Sequence, residues 1–284
     1  MTETARTLAL VGPGRAGTTV SLALVARGWS VVAVAGRAPD SASALAAAAC
    51  LDAPTTLVSE VGAGAALVVV ATPDAAISDV ATAAARSLET GALVIHLAGS
   101  RGLDAFDDLR AERPDVRVGS LHPLQSFPSA SAGLERLAGA FAAVAGDPEV
   151  EELARSLELR PFPLDDSMRG RYHATAVVAS NHLVALLGQV QRLAASCGVP
   201  FEVFGPLARA ALENALVLGP AAALTGPVAR GDLATVERHL ASLDPADRDA
   251  YRVLAREAAR LAEHRDTAID RLLDDLRHDG GGDR

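Results

Sequence analysis

Histidine side chains at the ends of apolar runs are the residues of this sequence best suited to move a proton. His122 ends the run 117–122 and is followed by Pro123, while His96 lies inside the run 94–98. Ser100 follows the second of these runs in a Gly-Ser turn. Imidazole exchanges protons near neutral pH, so a histidine at such a position can act as a general acid or base. We expect His122 to be functional; a hydrogen-bonded core histidine is the alternative for both His122 and His96.

A second group of polar residues interrupts an otherwise apolar helical stretch, 170–197. It contains His173, Ser180 and Asn181 among small apolar residues. His173 and Ser180 are seven residues apart, so on an α-helix they lie on nearly the same face, with Asn181 beside it. Such a stripe either contacts a substrate or forms a buried network between helices, and the spacing fits both.

A third polar cluster has Asn214 in a helical stretch and Thr225 and Arg230 in the loop 224–232. Arg230 is the best-placed cation for a substrate carboxylate, and Asn214 and Thr225 are further candidate substrate contacts. The alternative is a plain turn between helices in which Asp232 caps the helix that follows.

A glycine-rich segment near the start of the chain predicts a dinucleotide site. The segment reads Gly12-Pro13-Gly14-Arg15-Ala16-Gly17, and it lies between the apolar run 8–11 and the apolar helical stretch 18–26. This strand, turn and helix order is what the GxGxxG motif of a Rossmann domain requires, because its glycines allow a tight turn, approach of a pyrophosphate and close packing of helix on sheet. A structural turn without a ligand is the alternative.

Residues after the second and third apolar runs indicate which dinucleotide binds. Arg37 stands where an NAD-selective site carries an acidic residue, and an arginine there suits a 2′-phosphate. We therefore expect NADP(H) rather than NAD(H), with a solvated loop arginine as the alternative. Ala71, Thr72 and Pro73 end the third run, where we expect the backbone to lie along the cofactor. Asp74 is expected to cap the next helix.

The elements that must position these residues alternate between strand and helix. Six runs read as strands: 7–11, 30–35, 67–71, 93–97, 116–121 and 141–145. Short apolar runs separated by helical stretches are typical of βαβ units, so the sequence predicts an α/β fold with a doubly wound, mainly parallel sheet.

The pattern changes after the segment 160–166, where strand signals stop. Beyond it the candidate helices are 170–197, 206–218, 233–243 and 245–276. We therefore predict a Rossmann domain at 1–165, an all-helical substrate and dimerisation domain at 166–277 and a disordered tail at 278–284.

Composition excludes several classes of function. The net charge of −9 argues against nucleic acid or an anionic membrane as partner. No run is apolar enough to span a membrane, and with no signal-peptide pattern at the start we expect a cytoplasmic protein. All 26 basic residues are arginine, which excludes lysine chemistry. Cys50 and Cys197 are expected to be buried, and no metal site is indicated.

Five segments together resemble a bacterial family of Rossmann-like proteins whose C-terminal domain is the domain of unknown function 2520. They are 12–17, 94–100, 121–127, 172–182 and 224–232. The plan is similar to that of the 6-phosphogluconate-dehydrogenase-like superfamily, which includes pyrroline-5-carboxylate reductase, prephenate dehydrogenase and deazaflavin-dependent NADP reductases.

The resemblance has consequences for individual residues. It places His122 and Pro123 at a catalytic His-Pro motif of prephenate dehydrogenases, and Ser100 near their substrate-contacting Gly-Ser. Asn181 matches an asparagine of the hydroxyacid dehydrogenases in that superfamily, but Val177 stands where those enzymes carry lysine. Their mechanism therefore does not transfer to this chain.

Two classes of function remain open from the sequence. The first is an NADP(H)-dependent oxidoreductase acting on a small polar metabolite in an interdomain cleft, with a deazaflavin substrate as a variant. The second is a protein that senses NADP(H) without turnover. Convergence of His122, Ser100, His173 and Asn181 would favour catalysis. The long apolar C-terminal helices also predict a homodimer.

Overall fold

Within residues 6–262 and 271–273, which the computed structural model describes, seven strands form one sheet in the order β2-β1-β3-β4-β5-β6-β7. They are β1 (Thr7–Val11), β2 (Ser30–Ala35), β3 (Leu67–Val70), β4 (Leu93–His96), β5 (Arg117–Pro123), β6 (Phe141–Gly146) and β7 (Arg160–Pro163). The first five strands are parallel; β6 is antiparallel to β5 and parallel to β7. The predicted α/β fold with a mainly parallel sheet is confirmed.

Helices cover both faces of this sheet. They are α1 (Arg15–Val25), α2 (Ala42–Leu51), α3 (Ile77–Ala84), α4 (Asp107–Glu112), α5 (Ala130–Leu137) and α6 (Glu149–Ser156). Alternate residues of each strand point to opposite faces, so Leu8 and Leu10 pack with α1 while Ala9 and Val11 pack with α3. Two buried layers result, which is why the strands read as continuous apolar runs.

The order of the strands reverses beside β1, since β2 lies on one side of it and β3 on the other. In open sheets of this kind ligands bind at the carboxyl ends of the strands where this reversal occurs. Residues that follow β1, β2 and β3 therefore lie at the position from which a dinucleotide site is built.

The edge strand β7 was not predicted. Its sequence contains Pro161 and Pro163, yet the strand pairs in parallel with β6 through Ala142 and Val144. Proline lacks the N–H that a central strand needs, but at an edge one side of the strand has no partner. The position of β7 at the end of the sheet explains why two prolines are accepted.

The chain forms two compact units, Met1–His182 and Leu183–Arg284. The first unit thus extends past the last strand to include α7 (Arg169–Val177) and the π-helical turn Val178–His182. The boundary predicted at residue 165 follows the end of the sheet instead, and it stays a prediction.

The second unit is helical throughout the part that is described. Its helices are α8 (Leu183–Ser196), α9 (Gly205–Leu218), α10 (Pro220–Ala223), α11 (Leu233–Ser242) and α12 (Pro245–Leu261). A small core joins Val236 and Leu240 of α11 to Ala255 and Ala259 of α12. The remainder of the predicted helix 245–276, apart from residues 271–273, and the tail 278–284 lie outside the described residues.

Two further expectations meet the structure here. Cys50 and Cys197 are both exposed, so their expected burial was wrong: each lies on the solvent side of its helix or turn. Among the described helices none combines the length and apolarity needed to cross a bilayer.

Candidate active site

The turn after β1 brings the chain into contact with the end of β3. Gly12 has φ +83°, and a Cβ at this position would lie 2.6 Å from the Thr72 backbone nitrogen. Gly17 is equally confined, because a Cβ there would lie 2.7 Å from Ala71 Cβ and 2.9 Å from Gly12 O. Both positions need glycine because helix α1 and two strands meet at this point.

Gly14 differs from its two neighbours in the motif. No heavy atom lies within 4 Å of a Cβ built on it, so its backbone faces open space. It stands at the start of α1, which has no side-chain cap and no acidic residue in its first turn. Free N–H groups and the positive end of the helix dipole make this a site suited to a phosphate. The arrangement fits the pyrophosphate of a dinucleotide.

A cation and an unsatisfied hydroxyl lie at the end of β2. Arg37 is exposed, and no ion pair joins it to another described residue. Ser41 Oγ is buried without a hydrogen-bond partner in the described structure, 2.7 Å from a Cβ built on Gly36. A buried hydroxyl without a partner is costly, so an incoming acceptor would remove that cost. The pair fits a 2′-phosphate.

The end of β3 supplies the opposite wall of the site. The Ala71 N–H donates to Val11 O at 2.7 Å, and Thr72 Oγ1 is buried without a hydrogen-bond partner in the described chain. The expected capping role of Asp74 was wrong. Its carboxylate instead accepts a hydrogen bond from Ser100 Oγ and so links the ends of β3 and β4.

His122 is the penultimate residue of β5 and contacts two side chains of α7. Its Nδ1 lies 2.8 Å from Tyr172 Oη, and its ring centroid is 6.0 Å from that of His173. Both imidazoles abut Gly99, since a Cβ on that glycine would lie 2.8 Å from His122 Nε2 and 2.7 Å from His173 Nδ1. His173 Nδ1 is buried and has no hydrogen-bond partner in the described structure.

The environment of His122 keeps its imidazole neutral. Burial, followed by the charges of His173 and Arg169, lowers the pKa of His122 from 6.5 to about 4. At pH 7 the ring therefore has one nitrogen free to accept a proton and one that donates a hydrogen bond. Tyr172, whose pKa is raised by burial, remains a protonated phenol beside it.

His96 is a core histidine. It is fully buried, Nε2 lies 3.2 Å from Gly102 O, and Nδ1 accepts a hydrogen bond from the Ala98 N–H at 3.2 Å. The second bond assigns the remaining proton to Nε2, which donates it to Gly102 O. Burial lowers the pKa of His96 to about 4, so the ring is a neutral link between β4 and the loop after it.

Two further candidates of the first unit, Ser180 and Asn181, are not brought to His122. Ser180 and Asn181 are exposed and hydrogen-bonded to each other within the π-helical turn, where the α-helical spacing assumed from the sequence does not hold. Asn214 and Arg230 are exposed in the second unit, and Thr225 borders an apolar groove there of about 330 Å³. Their substrate roles stay predictions.

Sequence reasoning missed three residues of the site. Tyr172 and Arg169 are not among the predicted site residues, and Asp74 was expected to be a cap. The spacing of Tyr172 and His173 at the start of a helix was the available signal. The described residues contain no cluster of side chains suited to a metal ion.

Comparisons with known proteins agree with this architecture. The model of a Rossmann-like domain matches residues 2–122, and that of a domain of unknown function, DUF2520, matches residues 141–258. No functionally curated protein matches the sequence.

Three solved structures illustrate the likeness. A Bacteroides fragilis protein proposed to be an NADP oxidoreductase is 26% identical, with 90% of this chain and 98% of that chain covered and a TM-score of 0.77. The pyrroline-5-carboxylate reductase of Coxiella burnetii is 17% identical over 92% and 100%, with a TM-score of 0.55. A reductive aminase of Aspergillus terreus, in complex with NADPH4, cyclohexanone and allyl amine, is 18% identical over 96% and 100%, with a TM-score of 0.62. The last two likenesses establish the fold.

The contrast between the confined Gly17 and the open Gly14 leads to a stability prediction. Gly17→Ala forces a methyl group against Ala71 and should lower the free energy of unfolding by about 1–3 kcal/mol, as overpacking does. Gly14→Ala, the matched control, adds its methyl group in open space and should cost less than about 1 kcal/mol. Urea unfolding at pH 7 measures both; equal losses would contradict the packing described here.

Proposed function

We propose that this chain, a Rossmann-like protein that carries a DUF2520 domain, is an NADP(H)-dependent oxidoreductase acting on a small polar metabolite. The observation that carries the proposal is the shared position of two features at the carboxyl edge of one sheet. A glycine turn suited to a pyrophosphate follows β1, and a neutral histidine paired with a tyrosine is the penultimate residue of β5. Screening NADPH oxidation against keto acids, imines and deazaflavins tests it.

The residues present fit NADP(H). The N–H groups at the start of α1, with Gly14, would hold the pyrophosphate, Arg37 and Ser41 the 2′-phosphate, and the 71–73 backbone the nicotinamide half. The bound cofactor supplies or accepts the hydride.

His122 is proposed to exchange the proton that accompanies hydride transfer. Its neutral ring can accept a proton from a substrate hydroxyl or amine through Nε2, provided that Nδ1–H donates to Tyr172 Oη. The tyrosine oxygen would then stabilise the imidazolium that forms. In the reductive direction the same imidazolium returns the proton to the substrate.

The alternative of an NADP(H) sensor has one observation in its favour. His122 and His173 pack together, but Asn181 bonds Ser180 and Ser100 bonds Asp74, so the predicted set converges only in part. A sensor would bind NADPH and lack turnover across the whole substrate panel, and this outcome separates the two proposals.

Cofactor preference gives the first test. Arg37→Asp removes the cation proposed to bind the 2′-phosphate and adds a repulsive charge, so NADPH affinity should fall at least about tenfold while NADH affinity is retained. Calorimetry on wild type, Arg37→Asp and the exposed control Arg86→Asp measures this. Equal affinities for both cofactors before and after the change would rule out the assignment of Arg37.

Catalysis by His122 gives the second test. His122→Ala should lower kcat by about 10² to 10⁴ with NADPH affinity unchanged, because positioned acid-base catalysis contributes that factor. Since the pKa of His122 is about 4, the protonated donor becomes scarcer as pH rises, so kcat/KM for NADPH oxidation should fall about tenfold per unit from pH 6 to pH 8. The reverse reaction needs the neutral ring and should stay level over this range.

His173→Ala is the control for the catalytic test. His173 packs beside His122 without a bond to it, so its loss should raise the substrate KM more than it lowers kcat. Full turnover by His122→Ala would return His122 to a structural role at the end of β5.

We also propose a homodimer formed through the C-terminal helices. Helix α9 has no buried residue, and Leu216 and Val217 are 77% and 81% exposed. Clusters of exposed large apolar side chains mark interaction surfaces, and an obligate dimer would bury about 2,000 Å² or more.

Light scattering tests the dimer. The double change Leu212→Glu with Leu216→Glu places charge on the apolar surface of α9 and should shift the protein from dimer to monomer at micromolar concentration. Leu57→Glu is the matched control at an exposed leucine of the first unit and should leave the mass unchanged. A monomeric wild-type protein at this concentration would contradict the proposed dimer.

A further inference from the structure

A buried arginine lies beside the candidate catalytic pair. Arg169, the first residue of α7, is 1% exposed. Its Nε donates to Asp166 Oδ1 at 2.8 Å, and its Nη2 donates to Ser120 Oγ of β5. Asp166 Oδ2 in turn accepts from the Leu103 N–H at 2.8 Å. The guanidinium therefore joins α7 both to the sheet and to the loop after β4.

The spacing along α7 connects this arginine to the site. Tyr172 and His173 follow Arg169 by three and four residues, so the three side chains share one face of the helix. Tyr172 bonds His122, and His173 lies against Gly99 beside it. The depth at which Arg169 is buried therefore determines how far Tyr172 and His173 extend toward His122 and Gly99.

The spacing along β5 leads to the same point. Ser120 and His122 are two residues apart, so they project from the same face of the strand, the face on which Val118 packs. Arg169 therefore bonds β5 at Ser120, two residues before His122, while Tyr172 bonds His122 itself. Strand β5 and helix α7 are thus joined at two nearby positions of the strand, Ser120 and His122.

We propose that Arg169 is the positioning residue for His122, and that its guanidinium fixes α7 on β5 so that Tyr172 Oη meets His122 Nδ1. This inference rests on the proposed function only for the role given to His122. It concerns the geometry and charge of the pair, which are measurable without any substrate.

The packing of Arg169 argues against a purely structural role. Its Nη1 is buried and has no hydrogen-bond partner among the described residues. Burying a charged group with an unsatisfied nitrogen is costly, and apolar residues of similar volume often replace buried ion pairs without loss of stability. The charge itself is therefore what this position supplies.

The charge acts on His122 together with its other neighbours. The pKa of His122 is lowered by burial, then by the charges of His173 and Arg169 and, more weakly, of His96, and it is raised by Asp74. Tyr172, also from α7, faces it as a neutral phenol. Removing the cation should let His122 bind a proton at higher pH.

The experiment is an NMR titration of the His122 imidazole in the free, full-length protein. Arg169→Met removes charge and hydrogen bonds, Arg169→Lys keeps the charge, and Ser120→Ala removes the contact to the strand. Arg171→Met is the matched control, because Arg171 lies on the same helix and is exposed. Circular dichroism verifies that each variant folds.

We expect Arg169→Met to raise the titration midpoint of His122 by about one pH unit or more, while Arg169→Lys raises it less and Arg171→Met not at all. With a substrate in hand, Arg169→Lys and Ser120→Ala should lower kcat with little change in NADPH affinity. If Arg169→Met does not fold, Arg169→Lys and Ser120→Ala test the role of Arg169 through kcat and the chemical shifts of the His122 ring.

An unchanged His122 titration in a folded Arg169→Met protein, or wild-type signals and kcat in both milder variants, would overturn the inference. A shifted titration in a protein that turns over no substrate would leave Arg169 as the positioning residue and would contradict the proposed enzyme instead.

Discussion

The approach of one backbone to another at the carboxyl edge of the sheet is the constraint on which the site depends. The turn after β1 lies so close to the end of β3 that Gly12 and Gly17 have no room for a side chain. This approach places the start of α1 beside the ends of β2 and β3. Gly14, which lies between these two confined glycines, faces open space and so leaves room for a phosphate at the start of α1.

Charge is handled differently at the two ends of this edge. Near β1 and β2 the groups are exposed or unsatisfied: free N–H groups, Arg37 and the Ser41 hydroxyl. Near β4 and β5 the groups are buried and bonded, with neutral histidines beside the ion pair of Arg169 and Asp166. The first half is thus arranged to receive an anion, and the second to hold a proton in place.

The features that local sequence determines could be predicted. Six strands and the glycine turn follow from apolar runs and from backbone requirements of neighbouring residues. The site contacts could not, because they join residues 26, 50 and 49 positions apart: Ser100 with Asp74, His122 with Tyr172, and Arg169 with Ser120. Strand β7 could not be predicted for another reason. Its prolines are acceptable only in an edge strand, and a sequence does not reveal which strand lies at the edge of the sheet.

The π-helical turn Val178–His182 has a consequence for comparing this chain with its relatives. A π turn amounts to one residue more than an α-helix needs, and deleting one residue would restore regular α-helix there. If a relative without this turn is aligned to this chain without a gap, every position from Leu183 onward is displaced by one residue. Each residue of an α-helix advances by about 100°, so the displacement changes which positions share a face. Relatives without this turn should therefore show a single-residue gap between residues 178 and 182. An alignment that ignores the gap would rotate α8 by about 100° and pair residues of its inner face in one protein with residues of its flank in another.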